Sequence, residues 1–174
     1  MMRSYQRLWF LVLILMAVDC RLASATVSVG DKVKEFTLDK HGGGSVRFPH
    51  DVQGKVIFLN FWASWCPECR IEMPELVKIK ERYKDQPFVL IAVNIDRKRK
   101  PADKFLKKMA LDLLVLYDTD GGMIQHFGPM GIPASYLIGP DGTVKKNYLG
   151  FNKGFIEKYG SDIDEQLKKV SAPW

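Results

Sequence analysis

Apolar and polar positions change their period several times along the chain, and each change marks an element. Val33 to Leu38 and Ser45 to Phe48 flank the loose loop His41-Gly42-Gly43-Gly44, which predicts a two-stranded hairpin. After Gly54-Lys55 the run Val56-Ile57-Phe58-Leu59-Asn60-Phe61-Trp62 is almost continuously β-branched or aromatic, the mark of a strand buried on both faces. From Cys66 to Tyr83 the spacing turns helical. Met73, Leu76, Val77 and Tyr83 stand among Glu and Lys, predicting an amphipathic helix that Pro74, by removing a backbone donor, is expected to kink. Phe88 to Asn94 is a second buried strand, so strand, helix and strand close a βαβ unit of right-handed crossover.

The second half of the chain is patterned more loosely. Pro101 to Ala110 reads as a helix with proline in its first turn, Leu113 to Tyr117 as a short strand, and Asp118 to Phe127 as a turn and short helix around Gly121-Gly122. Gly131-Ile132-Pro133 leads into the strand Ala134 to Ile138. The turn Gly139-Pro140-Asp141-Gly142 then returns the chain as Thr143 to Leu149, an antiparallel hairpin. In the tail, Phe155, Ile156 and Tyr159 share a face, Gly160 predicts a break, and Ser161 with Asp164 reads as a variant capping box that restarts a helix through Ile163, Leu167 and Val170. The order is β-hairpin, βαβ, helical insertion, strand, then ββα. That makes an α/β fold with a central mixed sheet flanked by helices. With 174 residues, no repeats and no low-complexity stretch, there is material for one domain.

The first residues follow a different rule. Arg3 and Arg7 precede the apolar run Leu8 to Val18, and Ala23-Ser24-Ala25 supplies a small-x-small site; this predicts a secretory signal peptide over residues 1–25, cleaved after Ala25, with the folded domain at 26–174. The 11 apolar residues fall well short of the roughly 20 a spanning helix needs. Two other fates stand beside cleavage: an uncleaved anchor, and lipid attachment at Cys20, against which Asp19 occupies the place where lipoprotein signals carry a small residue. All three export the protein, and contact with a membrane follows only from the last two. The leader carries three of the 26 basic residues and one of the 20 acids, leaving a surplus of +4. Its densest run, Arg97-Lys98-Arg99-Lys100, reads first as a solvated loop and second as a patch for an acidic partner; no stretch has the pattern of a nucleic-acid motif.

Removing the leader discards Cys20 and leaves Cys66 and Cys69 as the chain's only thiols. A loop of two residues constrains little of the unfolded chain, so the pair is suited to chemistry more than to stapling. Cys66 falls at the start of the helix, where free backbone N–H groups and the helix dipole stabilise a thiolate; it is the attacking thiol, and Cys69, one turn on, resolves the mixed disulfide. Pro67 stiffens the first helical position, where its missing donor costs nothing. Glu72, three residues past Cys69, shares that helix face. Either it accepts the proton of the inner thiol or it merely complements the dipole, and the residues leave both open. Glu68, between the cysteines, opposes thiolate formation and favours a reducing couple. Trp65 could line a docking surface, although packing is the plainer reading for it and for Trp62. Cys-x-x-Cys is also half of a zinc site, but no second pair exists, and His41, His50 and His126 are scattered.

Trp62-Ala63-Ser64-Trp65-Cys66-Pro67-Glu68-Cys69, Pro74 five residues further on, and Gly131-Ile132-Pro133 downstream together resemble the thioredoxin-like superfamily. Within it they resemble the exported TlpA/ResA/CcmG-like thiol–disulfide oxidoreductases, over about Val29 to Val170. The resemblance implies a cis Pro133 packed against the active-site disulfide and an Ile132 backbone that pairs with an extended client segment. Trp65, Pro67, Ile132 and Pro133 would then form the client-binding surface. It implies Asn60 at the place of the buried aspartate of thioredoxin itself, so that proton route is lost. Glu72 matches the glutamate of the ResA-like branch, which favours its catalytic role. No cofactor is implied. The implied clients are disulfide-bearing proteins in cytochrome c maturation, copper-site assembly or general thiol reduction in the periplasm, with a membrane thiol transporter as electron donor. The competing expectations are a disulfide-forming oxidant and a metal-binding assembly factor using Cys66, Cys69 and His126. The chain lacks the peroxiredoxin signature.

Overall fold

The computed structural model describes residues 26–170; the expected leader, with Cys20 and the expected cleavage site, lies outside the described residues. Seven strands form one sheet: β1 (Phe36–Lys40), β2 (Ser45–Phe48), β3 (Val56–Trp62), β4 (Phe88–Asn94), β5 (Leu114–Tyr117), β6 (Ala134–Ile138) and β7 (Val144–Leu149), in the spatial order β2-β1-β5-β4-β3-β6-β7. The helices are α1 (Pro67–Arg82), α2 (Arg99–Met109), α3 (Gly122–Phe127) and α4 (Gly154–Val170). β3, β4 and β5 are parallel; β6 and β7 add antiparallel on one side and the β1–β2 hairpin on the other. This is the mixed α/β sheet that the pattern predicts, in the thioredoxin-like form that the resemblance implies. No described helix is long and apolar enough to cross a membrane.

Strand β3 is buried along its whole length, and its alternation divides the core. Ile57, Leu59 and Phe61 point to one face, where Phe48, Met123, Phe127 and Tyr136 close over them. Val56 and Phe58 point to the other and meet Leu76 and Ile79 of α1 and its C-cap Tyr83, with Tyr159, Ile163 and Leu167 of α4. Further along that second face Trp62 packs with Cys66, Cys69 and Met73 and with Phe105 of α2. The period of two therefore decides which helices β3 contacts. It also places Asn60 on the same face as α1 and the cysteines.

Four details depart from the pattern. The hairpin does not stand apart: β1 pairs with β5 through Asp39 and Lys40, extending the sheet. The basic run is only partly loop, because Arg99 and Lys100 already belong to α2. A second cis peptide, Phe48–Pro49, accompanies the one at Ile132–Pro133. Finally, α4 runs unbroken through Gly160. That glycine is buried against α1: Tyr83 donates its hydroxyl to the Gly160 carbonyl at 3.1 Å, and a Cβ there would come within 2.9 Å of Arg82. Gly160 thus serves close helix–helix approach. Ser161, expected as a cap, lies inside the helix and donates its hydroxyl back to the Lys158 carbonyl at 3.0 Å.

Candidate active site

The redox pair sits where β3 hands over to α1. The Cys66 amide donates to the Ala63 carbonyl at 3.1 Å, turning the chain sharply after the strand. Ser64 is held from both sides: its amide donates to Asp96 at 3.1 Å, and its carbonyl accepts from Arg70 Nε and Nη2 at 3.2 and 2.7 Å. Asp96 is itself fixed by Asn94, whose side-chain amide donates to the same carboxylate oxygen at 3.0 Å. The end of β4 and the first turn of α1 therefore jointly fix the loop.

Cys66 is the N-cap of α1 and Pro67 its first helical residue. The two cysteines are joined in a disulfide. The Cys69 amide donates to Cys66 Sγ at 3.1 Å, so the outer sulfur already occupies the position where helix N–H groups would receive a thiolate. Cys66 is 3 % exposed and Cys69 not at all, which makes the outer sulfur the reachable one. The Ile132–Pro133 bond is cis, Pro133 is buried, and the Ile132 carbonyl oxygen lies 3.9 Å from Cys66 Sγ. Trp65, next to Cys66 in the chain, is 64 % exposed and opens an apolar surface to solvent.

Behind the cysteines lies a buried polar chain. Glu72 is fully buried. Tyr159 of α4 donates its hydroxyl to Glu72 Oε1 at 2.9 Å, and Asn60 of β3 donates its amide to Oε2 at 2.9 Å. The second Asn60 hydrogen goes to Ser135 Oγ of β6, also at 2.9 Å. Burial raises the Glu72 carboxyl from its ordinary 4.5 to about 7; the Tyr159 and Asn60 hydrogen bonds oppose the rise and the Glu68 charge adds to it. In turn, burial and the Glu72 charge push the Tyr159 hydroxyl well above its ordinary range. A carboxyl poised near neutrality one helical turn from Cys69 can hold or release a proton there.

Of the candidate residues, Trp65, Cys66, Pro67 and Cys69 lie at the β3–α1 junction and Glu72 one turn further along α1, while Ile132 and Pro133 lead into β6 with the Ile132 carbonyl beside Cys66. His126 goes elsewhere. It packs between the rings of Phe36 and Phe127, in the core on the opposite face, and burial lowers its proton affinity. Among the described residues no group of three or more His, Cys, Asp or Glu side chains is gathered to hold a metal. The pattern missed Tyr159 and Ser135, which read as an apolar stripe and a strand position, and it missed Asp96. Each acts across a long stretch of chain, 87 residues for Tyr159 and Glu72. An apolar stripe that ends in a hydroxyl was the one local signal.

Comparison with known proteins agrees with this geometry. The Redoxin family matches residues 28–167. A thiol-disulfide oxidoreductase ResA from Bacillus subtilis is 28% identical over 159 residues, covering 86% of this chain and 88% of that one. A ResA from Bacillus thuringiensis subsp. konkukian is 30% identical over 145 residues, covering 83% and 80%. Among solved structures, one from Chlorobium tepidum that bears the name thiol:disulfide interchange protein DsbE superposes with a TM-score of 0.77 at 34% identity, covering 82% of this chain and 99% of that one. These similarities join a local geometry suited to thiol–disulfide exchange, and the chain belongs to the Redoxin family as a thioredoxin-like, TlpA/ResA/CcmG-like protein-disulfide oxidoreductase.

Proposed function

We propose that this protein is an exported reductant of client disulfides. The Cys66 thiolate attacks one sulfur of the client's disulfide; the other leaves as a thiolate, and a Cys66–client mixed disulfide forms. Cys69 then passes its proton to Glu72 and attacks Cys66 Sγ, which releases the client's second sulfur as a thiolate. Two electrons reach the client, its two thiolates take up protons from Glu72 and from water in place of those given up by Cys69 and Cys66, and Cys66–Cys69 closes into the disulfide of the present structure. The observation that carries this reading is the asymmetry of the pair. The outer sulfur faces a helix N-terminus and the Ile132 carbonyl, while the inner one is sealed over a carboxyl of near-neutral proton affinity. Trp65, Pro67, Ile132 and Pro133 form the client's bed, with the backbone beside Cys66 offering an extended segment a partner.

The leader at 1–25 supports export, with a periplasmic site of action, and a membrane thiol transporter returns the electrons. Glu68 between the cysteines favours the reducing direction. Cytochrome c maturation, copper-site assembly and general thiol reduction are the pathways suited to such a couple. The test is the reduction potential of the Cys66/Cys69 pair together with Cys69→Ala. The variant should accumulate a mixed disulfide on Cys66, and the potential should lie near that of thioredoxin, about −270 mV. A potential near about −120 mV would make the protein an oxidant instead.

A further inference from the structure

Beside the redox pair, α1 and α2 leave a groove of about 480 Å³ between them. Its rim is cationic: Arg70 from α1, Lys104 and Lys108 from α2. Its floor is apolar, made by Phe105 and the partly exposed Met109. Ser64 closes the end nearest the disulfide. No acidic side chain lines it. Arg70 is held in place by its two bonds to the Ser64 carbonyl and lies over the Phe105 ring, 5.9 Å from its centre.

The groove lysines belong to a run of unpaired cations on α2 that includes Lys100 and Lys107 among the described residues. Arg99 is paired with Asp39, and Asp103, the one acid of α2, turns away to Tyr117 and His41. Lys104 and Lys108, one helical turn apart, are exposed and have no ion-pair partner among the described residues. Unpaired like charges held together over an apolar floor are unfavourable for the protein alone and become favourable against a complementary surface.

We propose that this groove seats a segment of the client polypeptide in which an acidic residue adjoins an apolar one, a short way along the chain from the disulfide to be reduced. The inference rests on the client-reductase reading and deepens it: the surface at Trp65 and Ile132 receives the disulfide itself, and the groove chooses among clients by charge. The groove begins at Ser64, two residues before Cys66, and at Arg70, directly after Cys69. A docked carboxylate would therefore lie alongside the reacting sulfurs without replacing any group that acts on them.

Three synthetic peptides with the same intramolecular disulfide, flanked by Asp-Asp-Leu, Asn-Asn-Leu or Lys-Lys-Leu, separate the possibilities. Reduced wild-type protein should reduce the acidic peptide about fivefold faster than the neutral one at low ionic strength, as two exposed ion pairs allow, with the advantage fading in high salt. In Lys104→Glu/Lys108→Glu the ratio should fall to one or below, and the basic peptide should become the preferred one. Equal wild-type rates with the acidic and neutral peptides, or a variant that slows all three by one factor, would overturn the proposal. So would an unchanged peptide ratio accompanied by lost binding to phosphatidylglycerol vesicles, which would assign the lysines to a lipid surface. If wild-type protein reduces none of the peptides, the reductase reading fails, and this inference with it.

Discussion

Strand β3 presents two faces that are equally buried and built on opposite principles. On one, Ile57, Leu59 and Phe61 meet Phe127 and Tyr136 in aromatic and aliphatic contact, with edge-on ring pairs at 5.2 and 6.0 Å. On the other, Asn60 stands between Phe58 and Trp62 and ties Glu72 to Ser135. The first face gains from apolar burial and close packing. The second gives some of that up, because a carboxylate taken out of water is costly and its hydrogen bonds offset only part of the cost. The difference teaches where stability and chemistry reside in this domain. The sheet's apolar face holds the scaffold, and its polar interruption sets the proton affinity beneath the cysteines.

This contrast can be broken one residue at a time. The largest expected loss is Phe61→Ala, which empties a fully buried aromatic site and should cost about 3–5 kcal/mol in denaturant unfolding. The fraction that stays folded should keep the wild-type pH–rate profile. A shifted profile would show that the two faces are not independent.

Glu72→Gln should do the reverse. Exchange in wild type should rise with pH through about 7 as Glu72 ionises, and the variant should lose that limb, with release of the mixed disulfide slowed about tenfold or more above neutrality. Stability should report the same group. Because the folded protein holds this proton more tightly than the unfolded chain, the contribution is complete below pH 4.5 and declines as the pH rises towards about 7. The decline should be on the order of 3 kcal/mol, read as a midpoint shift of the oxidised protein, and absent from Glu72→Gln. A wild-type curve as flat as the variant's would remove the raised carboxyl from the account.

Smaller effects should follow from the partners. The Tyr159 hydrogen bond lowers the proton affinity of Glu72, so Tyr159→Phe should move the pH–rate limb upward, by about one to two pH units for a bond to a charged acceptor. A merely structural tyrosine would change stability and leave the limb in place. Ser135→Ala should cost least, about 1 kcal/mol, by leaving one Asn60 hydrogen without its acceptor, and should move the limb hardly at all.

Legibility in the sequence follows the range of the interactions. The run Val56 to Trp62 declares a doubly buried strand, and Cys66-Pro67 declares a helix start, because both depend on neighbours within a turn or two. Gly131-Ile132-Pro133 carried its meaning through resemblance; the Ile132–Pro133 bond is cis as that resemblance implies, and the Ile132 carbonyl lies 3.9 Å from Cys66 Sγ. Gly160 misled because a glycine in a helical pattern has two uses, breaking the helix or admitting a neighbour, and only the packing of α4 on α1 decides between them. Glu72 was half legible. Its helix face could be counted, but its burial comes from packing against β3 and α4, which local periodicity does not join to α1, and that burial raises its proton affinity against the hydrogen bonds from Tyr159 and Asn60. The addition of β1 to β5 was hidden for the same reason.

The double hold on Ser64 has a mechanical consequence. While a client is tethered, its thermal motion pulls on the rest of the molecule through one sulfur at the very tip of a helix, the end of such an element that frays most readily. The peptide just before that tip is anchored on one side to Asp96 beyond β4 and on the other to Arg70 inside α1. Force entering at Cys66 is thereby shared with the middle of the sheet before the first turn can unwind. In the proposed mechanism, these bonds hold the first turn of α1 in place while Cys69 attacks.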